Sequence, residues 1–335
     1  MPDQMWQWLD DFPRQMQRAA QLGENWDLSD LNQPQGIAFL GIGGSAIGAT
    51  LICDLYREEL SCPVAVSRGD QSPSWLQDGC LAVAISYSGE TRETLTAFRR
   101  ALSRGAQGAS LSSGGSLARL AEEGKLPHLL IPAGMAPRAA LGYTSLPLIF
   151  LLQKLGVIPV RDLDLDPLIR QLELLRVEWG DSTGTGVGAA RRLLKRLPLI
   201  VGAGLTAGAA RRLQAQLAEN AKVISVCFEV PEALHNLIET LDPHAIEHFR
   251  PIAVYLEDPD AAETERILLK QVREAFQEAG IEGLPIHAEG ETALSRLYTL
   301  IHKLDWISYH LAKLRAVDPV AIPTITSIKE RWPTR

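Results

Sequence analysis

Short apolar runs alternate with longer amphipathic stretches along this sequence, once an N-terminal arm has ended at Pro34. In the first half of the chain the apolar runs are IAFLGIG, VAVSRGD, LAVAISYS, GASLSSGG and HLLIPAG. The stretches that separate and follow them carry apolar residues three and four positions apart, which predicts helices at 46–59, 91–104, 117–123 and 139–155. This rhythm predicts parallel strands joined by helices.

The same rhythm returns in the second half, where the apolar runs are LPLIVGAG, KVISVCFE, FRPIAVYLE and GLPIHAEG. Helices are predicted there at 206–219, 263–279 and 291–314. The segment 180–188 is rich in Gly, Ser and Thr, so we expect a linker there and no helix. We therefore predict an α/β fold of two doubly wound domains with central parallel sheets. They comprise residues 1–160, with the arm, and residues 161–335, with the linker, an inter-domain helix and a C-terminal tail.

Composition and charge narrow the functional classes. The chain has 335 residues, of which 46% are hydrophobic and 22% charged, proportions typical of a globular protein with real cores. A net charge of −7 without any run of basic residues longer than a pair argues against a nucleic-acid partner. The N-terminus is acidic and lacks a secretory signal, and polar residues and prolines interrupt the longest apolar region, 141–160. We expect a cytoplasmic protein without a membrane span, whose four cysteines are reduced and structural.

Two turns carry candidate chemistry, each directly after a predicted strand and before a helix. The first is GIGGSAIG, residues 41–48. Such a turn also suits a dinucleotide, but the acidic residue expected for the ribose about twenty positions on would fall at 57–60, inside or just after the helix. A tight structural turn is the other alternative. The second turn is SYSGET, Ser86 to Thr91, where three hydroxyls surround a glycine at a helix start.

A helix N-terminus favours an anion, because its free N–H groups and its dipole point toward the ligand. The second turn therefore predicts a phosphate monoester site with neutral donors. Helix capping by Ser88 or Thr91 is the alternative, although capping accounts for one hydroxyl and not for three. Together the two turns resemble those of the sugar-isomerase (SIS) domain, a flavodoxin-like unit that binds phosphosugars. The resemblance implies that Gly44, Ser45, Ser86, Ser88 and Thr91 hold the substrate's phosphate.

Four further segments extend the resemblance along the chain: PRAALGY from 137, ENAK from 219, PEALHN from 231 and the tail from Asp318 to Lys329. In this order they are similar to those of the bifunctional phosphoglucose/phosphomannose isomerase family. The family implies an aldose–ketose isomerase of glucose 6-phosphate, mannose 6-phosphate and fructose 6-phosphate that works through a cis-enediol, without cofactor or metal. It also implies a homodimer in which the histidine reaches the site from the other subunit.

The resemblance assigns a role to each catalytic candidate. Glu219 would move the proton between C1 and C2, and its place at a helix end disfavours its charged form. His235 would open the sugar ring; because Pro231 precedes it, we expect it early in a helix, where the dipole keeps an imidazole neutral. Arg138 would face the enediolate, and Lys329 would bind substrate oxygens, with a solvated terminal lysine as the alternative. The chain departs from the family at Leu234 and Leu237, where polar residues are usual.

Other functions remain open from the sequence. A phosphosugar sensor would keep both serine turns without needing Glu219 or His235. An isomerase acting on a single sugar phosphate is another alternative, and a relative acting on an amino sugar phosphate would normally be fused to an ammonia-generating domain. The segment His244 to His248 matches a zinc pattern, HxxEH. A zinc site needs both histidines on one face of a sustained helix, whereas Pro243 precedes the segment and a strand is predicted directly after it. We expect no metal site there.

Overall fold

The computed structural model describes residues 3–242 and 247–331. The chain divides into two compact units, a first unit of Asp11–Arg170 and a second unit of Met1–Asp10 with Gln171–Arg335. Each unit contains a sheet whose strands all run parallel, and helices follow the strands. The predicted α/β class and the parallel sheets are thus confirmed.

The first unit has a five-stranded sheet in the order β2-β1-β3-β4-β5, the flavodoxin-like order. Strands β1 and β3 are buried along their whole length, which explains why they appear in the sequence as continuous apolar runs. The strands are β1 Ile37–Leu40, β2 Val64–Ser67, β3 Leu81–Ile85, β4 Gln107–Ser112 and β5 His128–Leu130. The helices are α2 Phe12–Glu24, α3 Gly44–Leu55, α4 Arg92–Ser103, α5 Gly115–Gly124 and α6 Leu141–Lys154.

The second unit has a four-stranded sheet in the order β7-β6-β8-β9. Its longest helix, α11, buries every residue from Leu294 to Ala312. The strands are β6 Leu197–Ala203, β7 Val226–Val230, β8 Pro251–Glu257 and β9 Glu282–His287. The helices are α1 Gln4–Asp10, α8 Thr185–Leu193, α9 Ala207–Gln216, α10 Glu263–Glu278, α11 Ala293–Leu314 and α12 Pro323–Glu330, while α7 Asp166–Gly180 spans the division between the units.

The expectation that 180–188 holds no helix is wrong, because α7 reaches Gly180 and α8 begins at Thr185. Packing explains Gly186 in this segment. A Cβ on Gly186 would lie 2.3 Å from the Trp179 carbonyl oxygen and 3.1 Å from the His310 ring. Glycine is therefore needed here for close approach, and the contact outweighs its low helix propensity.

No helix of the described residues is long and apolar enough to cross a membrane. The cysteine thiols fit the predicted structural role, since burial raises the pKa of Cys53 and of Cys227 to about 12. A thiol with so high a pKa is protonated at neutral pH and is a poor nucleophile.

Candidate functional site

The turn after β1 lies against the segment that carries Arg138. Helix α3 begins at Gly44, and Gly43 before it has a positive φ of 58°. A Cβ on Gly44 would lie 3.0 Å from the Arg138 backbone nitrogen and 3.1 Å from the Pro137 carbonyl oxygen. Gly44 thus lets the Arg138 backbone approach the start of α3, and Arg138 itself is 3% exposed.

A hydrogen bond joins the turn after β1 to the turn after β3. The Tyr87 backbone N–H donates to the hydroxyl of buried Ser45 over 3.1 Å. Within the second turn, the Ser86 hydroxyl donates to Thr91 Oγ1 over 2.9 Å. The exposed Ser88 hydroxyl accepts from the Glu90 N–H over 3.2 Å, which leaves its proton to donate to a ligand.

Helix capping does not explain these hydroxyls. Thr91 is the N-cap residue of α4, but within the described part of the chain its side chain makes no capping hydrogen bond. Ser88 accepts from Glu90, which lies ahead of the helix. The start of α4 therefore remains a place where backbone N–H groups and the helix dipole favour an anion.

A third turn, after β4, is hydrogen-bonded to the second one. It was not predicted from the sequence as part of the site. The Ser113 hydroxyl donates to the Tyr87 carbonyl oxygen over 2.7 Å. The Glu90 carboxylate accepts from both the N–H and the hydroxyl of Ser116, over 2.7 and 2.8 Å. The sequence contains a signal for this third turn. The segment SSGGS at 112–116 has the Ser- and Gly-rich composition of the other two turns and also lies at a strand end.

Two buried side chains hold the Arg138 segment in place. The Gln15 amide of α2 donates to the Ala139 carbonyl oxygen over 3.0 Å and accepts from the Gly142 N–H over 2.6 Å. The Tyr87 hydroxyl donates to the Pro132 carbonyl oxygen and accepts from the Met135 N–H, both over 2.9 Å. The first unit thus brings Ser45, the Ser86–Thr91 turn and the Arg138 backbone together at the carboxyl edge of its sheet, where ligands of open parallel sheets bind.

Glu219 lies in a π-helical turn, Leu217–Ala221, that continues α9. π-Helical turns are rare and often mark functional sites. The turn ends at Lys222, which has a positive φ of 55°. The Lys222 ammonium donates to the Glu219 carbonyl oxygen and to those of Asp318 and Ala321 in the tail. Glu219 is therefore at the helix end that the sequence predicted, and one lysine joins its backbone to the tail.

A buried polar cluster fixes this turn to α11. Arg212 of α9 and Asp305 of α11 form a salt bridge with 2.6 Å between Nη2 and Oδ2, and their side chains are 3% and 4% exposed. The Gln216 amide also donates to Asp305, and the Asn220 amide donates to the Ser308 hydroxyl. Because an unpaired buried charge is costly, these contacts hold α9 and the Glu219 turn against α11.

The expectation that His235 lies early in a helix is wrong. His235 is the last residue of a short 3-10 helix, Glu232–His235, and its side chain is exposed. The helix-dipole argument for a neutral imidazole therefore does not apply. Leu234 and Leu237, which replace polar family residues, pack against the core of the second unit. They anchor the segment on both sides of His235, and the imidazole faces outward.

The remaining candidates are Lys329 and the HxxEH segment. Lys329 is an exposed residue of α12. His244 of the HxxEH pattern and the side chain of Glu247 lie outside the described residues. In the parts of the chain that are described, no group of three or more His, Cys, Asp or Glu side chains is placed to hold a metal ion.

Comparisons with known proteins gave a family model and relatives at about 30% identity. Residues 186–332 match the family model of the bacterial phospho-glucose isomerase C-terminal SIS domain. The chain is 30% identical to the bifunctional phosphoglucose/phosphomannose isomerase of Caldicellulosiruptor bescii, over 96% of each chain. It is 31% identical to the protein of that name from Aquifex aeolicus, over 90% of this chain and 91% of the relative.

A solved structure shows the same fold. Tagatose-6-phosphate ketose/aldose isomerase from Escherichia coli superposes with a TM-score of 0.73, covering 94% of each chain at 13% sequence identity.

The close approach of the second and third turns makes Gly89 a test of the site. A Cβ there would lie 1.9 Å from the Gly114 carbonyl oxygen, and Gly89 has a φ of +71°. We expect Gly89→Ala to lower the free energy of unfolding in urea by at least about 2 kcal/mol, through overlap and strain. The control is Gly188→Ala in α8, where a Cβ meets nothing within 4 Å. It should be neutral or stabilising by up to about 1 kcal/mol; equal stability of the two variants would contradict the described packing.

Proposed function

This chain belongs to the family of the bifunctional phosphoglucose/phosphomannose isomerases, and we propose that it interconverts glucose 6-phosphate and mannose 6-phosphate with fructose 6-phosphate. It is an enzyme of the sugar-phosphate isomerase class. The structural observation that supports the proposal most directly is the meeting of three serine- and glycine-rich turns and the Arg138 segment at one sheet edge.

The substrate's phosphate binds at the start of α4. Ser88 donates its hydroxyl proton, the backbone of Gly44 and of the Ser86–Thr91 turn lines the site, and Ser45 holds the two turns together. Ser86 is fully buried and already donates to Thr91, so its part is to shape the turn. Neutral donors and a helix dipole bind an anion. Because the phosphate has the same charge in the substrate and in the product, this site suits both.

The steps of the isomerisation are carried out by the remaining candidate residues. His235 moves a proton between the ring oxygen and a hydroxyl to open the ring, and Glu219 then transfers a proton between C2 and C1. Arg138 stabilises the negative charge that develops on the enediolate oxygens, and Lys329 binds oxygens of the open sugar. Each of these acts directly on the substrate without a metal or cofactor.

One base serves both aldoses because they differ only in configuration at C2. Both lose that configuration in the planar enediol, and rotation about C2–C3 presents either face of the enediol to Glu219. A pocket without a dedicated partner for one hydroxyl discriminates between epimers by only about 1 to 3 kcal/mol. Comparable turnover of both sugars therefore follows from the chemistry of a single site.

We also propose a cytoplasmic homodimer in which His235 serves the site of the partner subunit, acting in glycolysis and gluconeogenesis. The support for the shared site is the arrangement at the 3-10 helix. Leu234 and Leu237 pack on their own unit while the imidazole between them is exposed. Exposure suits a residue that reaches across an interface.

The direct test is an assay with purified protein in the presence of EDTA. We expect glucose 6-phosphate and mannose 6-phosphate to give fructose 6-phosphate with kcat/KM values within about a hundredfold of each other. In deuterium oxide, fructose 6-phosphate should yield both aldoses labelled at C2. No turnover of either sugar would indicate a sensor. A mannose rate lower by about four decades would indicate a single-sugar isomerase, and unlabelled products would remove Glu219 from the role of base.

The phosphate assignment is tested with Ser88→Ala and Thr91→Val. Each should weaken substrate binding by about 1 to 3 kcal/mol, with a smaller effect on turnover, because the phosphate keeps its charge throughout the reaction. Thr91→Val also leaves the buried Ser86 hydroxyl without its acceptor, so Thr91→Ser should restore binding. The matched control is Ser103→Ala at the other end of α4, which should bind like the wild type. Unchanged affinity in both variants would rule out this phosphate site.

The shared site is tested by mixing Glu219→Gln protein with His235→Ala protein. Each parent should be inactive, whereas a mixed dimer contains one site with both native residues. Equal mixing with full subunit exchange should restore about a quarter of the wild-type sites. Absence of recovery, when exchange is demonstrated with labelled subunits, would place both residues in the site of one chain.

A further inference from the structure

Helix α12, which carries Lys329, has no buried face of its own. It comprises Pro323–Glu330, and none of these eight described residues is buried. Its two isoleucines, Ile325 and Ile328, are 38% and 46% exposed. A helix this short is marginal in water without tertiary contacts. The position of Lys329 therefore depends on the segment that leads into α12, residues 318–322.

The Lys222 side chain binds that segment. Its ammonium donates to the carbonyl oxygens of Asp318 and Ala321, over 3.1 and 2.7 Å. It also donates to the carbonyl oxygen of Glu219, in the π-helical turn. These three acceptors match the three donor protons of an ammonium. Lys222 is thus committed to the backbone of two segments and not to a ligand.

The backbone conformation at Lys222 would suit a residue without a side chain. Lys222 directly follows the turn that carries Glu219 and has a φ of 55°, in the left-handed region. Glycine is the usual residue in this conformation after a helix, because it has no Cβ to cause strain. Glycine here would keep the turn but lose the three bonds of the ammonium. The contribution of the lysine therefore comes from its ammonium.

The Glu219 end of this link is fixed in the core of the second unit. Asn220, the next residue, is fully buried and donates to the Ser308 hydroxyl of α11. The backbone N–H of Lys222 donates to the Leu217 carbonyl oxygen, which closes the turn. Loss of the ammonium would therefore release the tail while the turn that carries Glu219 stays in place.

We propose that Lys222 is a positioning residue of the isomerase, which holds Lys329 at the distance from Glu219 that the reaction needs; this rests on the function proposed above. From Pro323 to Lys329 the helix rises by about 1.5 Å per residue, so a displacement of Ala321 is carried to Lys329. Misplacement of a reacting group by about 1 Å costs up to about a hundredfold in rate. Because the serine turns bind the phosphate, substrate affinity depends on Lys222 less than turnover does.

The first test is steady-state kinetics with glucose 6-phosphate. Lys222→Met removes the donors and keeps the length of the side chain, so kcat should fall by about tenfold to a hundredfold, with KM changed less than about threefold. Lys222→Arg keeps the charge and several donors, so it should recover most of kcat. The control is Lys195→Met, because Lys195 is an exposed lysine of the same unit with a similar φ of 59°. It should match the wild type.

A double-mutant cycle separates positioning from a loss of folded protein. Lys222→Met should cost at least about fivefold less in kcat when Lys329 is already methionine, because both changes act through the same group. A loss of folded protein would lower kcat by the same factor in both backgrounds.

Hydrogen exchange without substrate tests the link itself. The backbone amides of α12 should exchange at least about tenfold faster in Lys222→Met than in the wild type, because a tethering contact has been removed. The amides of the turn Leu217–Ala221 should exchange as in the wild type, since Asn220 still holds that turn.

The proposal is overturned if Lys222→Met keeps the wild-type kcat, if its cost is the same in Lys329→Met protein, or if exchange in α12 is unchanged. Failure of the proposed function has a different signature. The wild-type protein would then turn over neither sugar, while exchange in α12 would still respond to Lys222→Met.

Discussion

The turns that follow β1, β3 and β4 approach one another so closely that side chains are excluded where they meet. A Cβ on Gly89 would overlap the Gly114 carbonyl, one on Gly115 would lie 2.6 Å from the Ser88 carbonyl oxygen, and one on Gly44 would press on the Arg138 segment. The hydroxyls can form one network only because the backbones meet in this way. The candidate phosphate site lies where these turns meet, and Ser45 and the Arg138 segment lie beside it.

In the second unit, a buried polar cluster holds the candidate residues in place. The turn that carries Glu219 is held by charge in the core, through Asp305 and its donors Arg212 and Gln216. Where the first unit has serines after β3, the second has Asp258 and Asp260 after β8, and Arg296 pairs with both. The first four strands of the two sheets have the same order.

Strands and most helices could be predicted from the sequence because burial on both faces of a sheet leaves a continuous apolar run, as at β1 and β3. The serine turns were predictable for a related reason, since a strand end and a helix start fix where their hydroxyls lie. Helix α8 and the position of His235 could not be predicted from the sequence. Gly186 is needed because α8 passes close to the Trp179 carbonyl, and His235 faces outward while its neighbours Leu234 and Leu237 pack inward. Both outcomes depend on tertiary contacts that no local pattern encodes.

The Lys222 ammonium joins the C-terminal tail to the turn that carries Glu219. It is bonded at once to the carbonyl of Glu219 and to two carbonyls of the segment that leads into α12. Acylation of this one amine would remove the positive charge and two of its three donor protons, and the three carbonyls would no longer share a common donor. The attachment of the tail to the turn that carries Glu219 therefore depends on one unmodified amine.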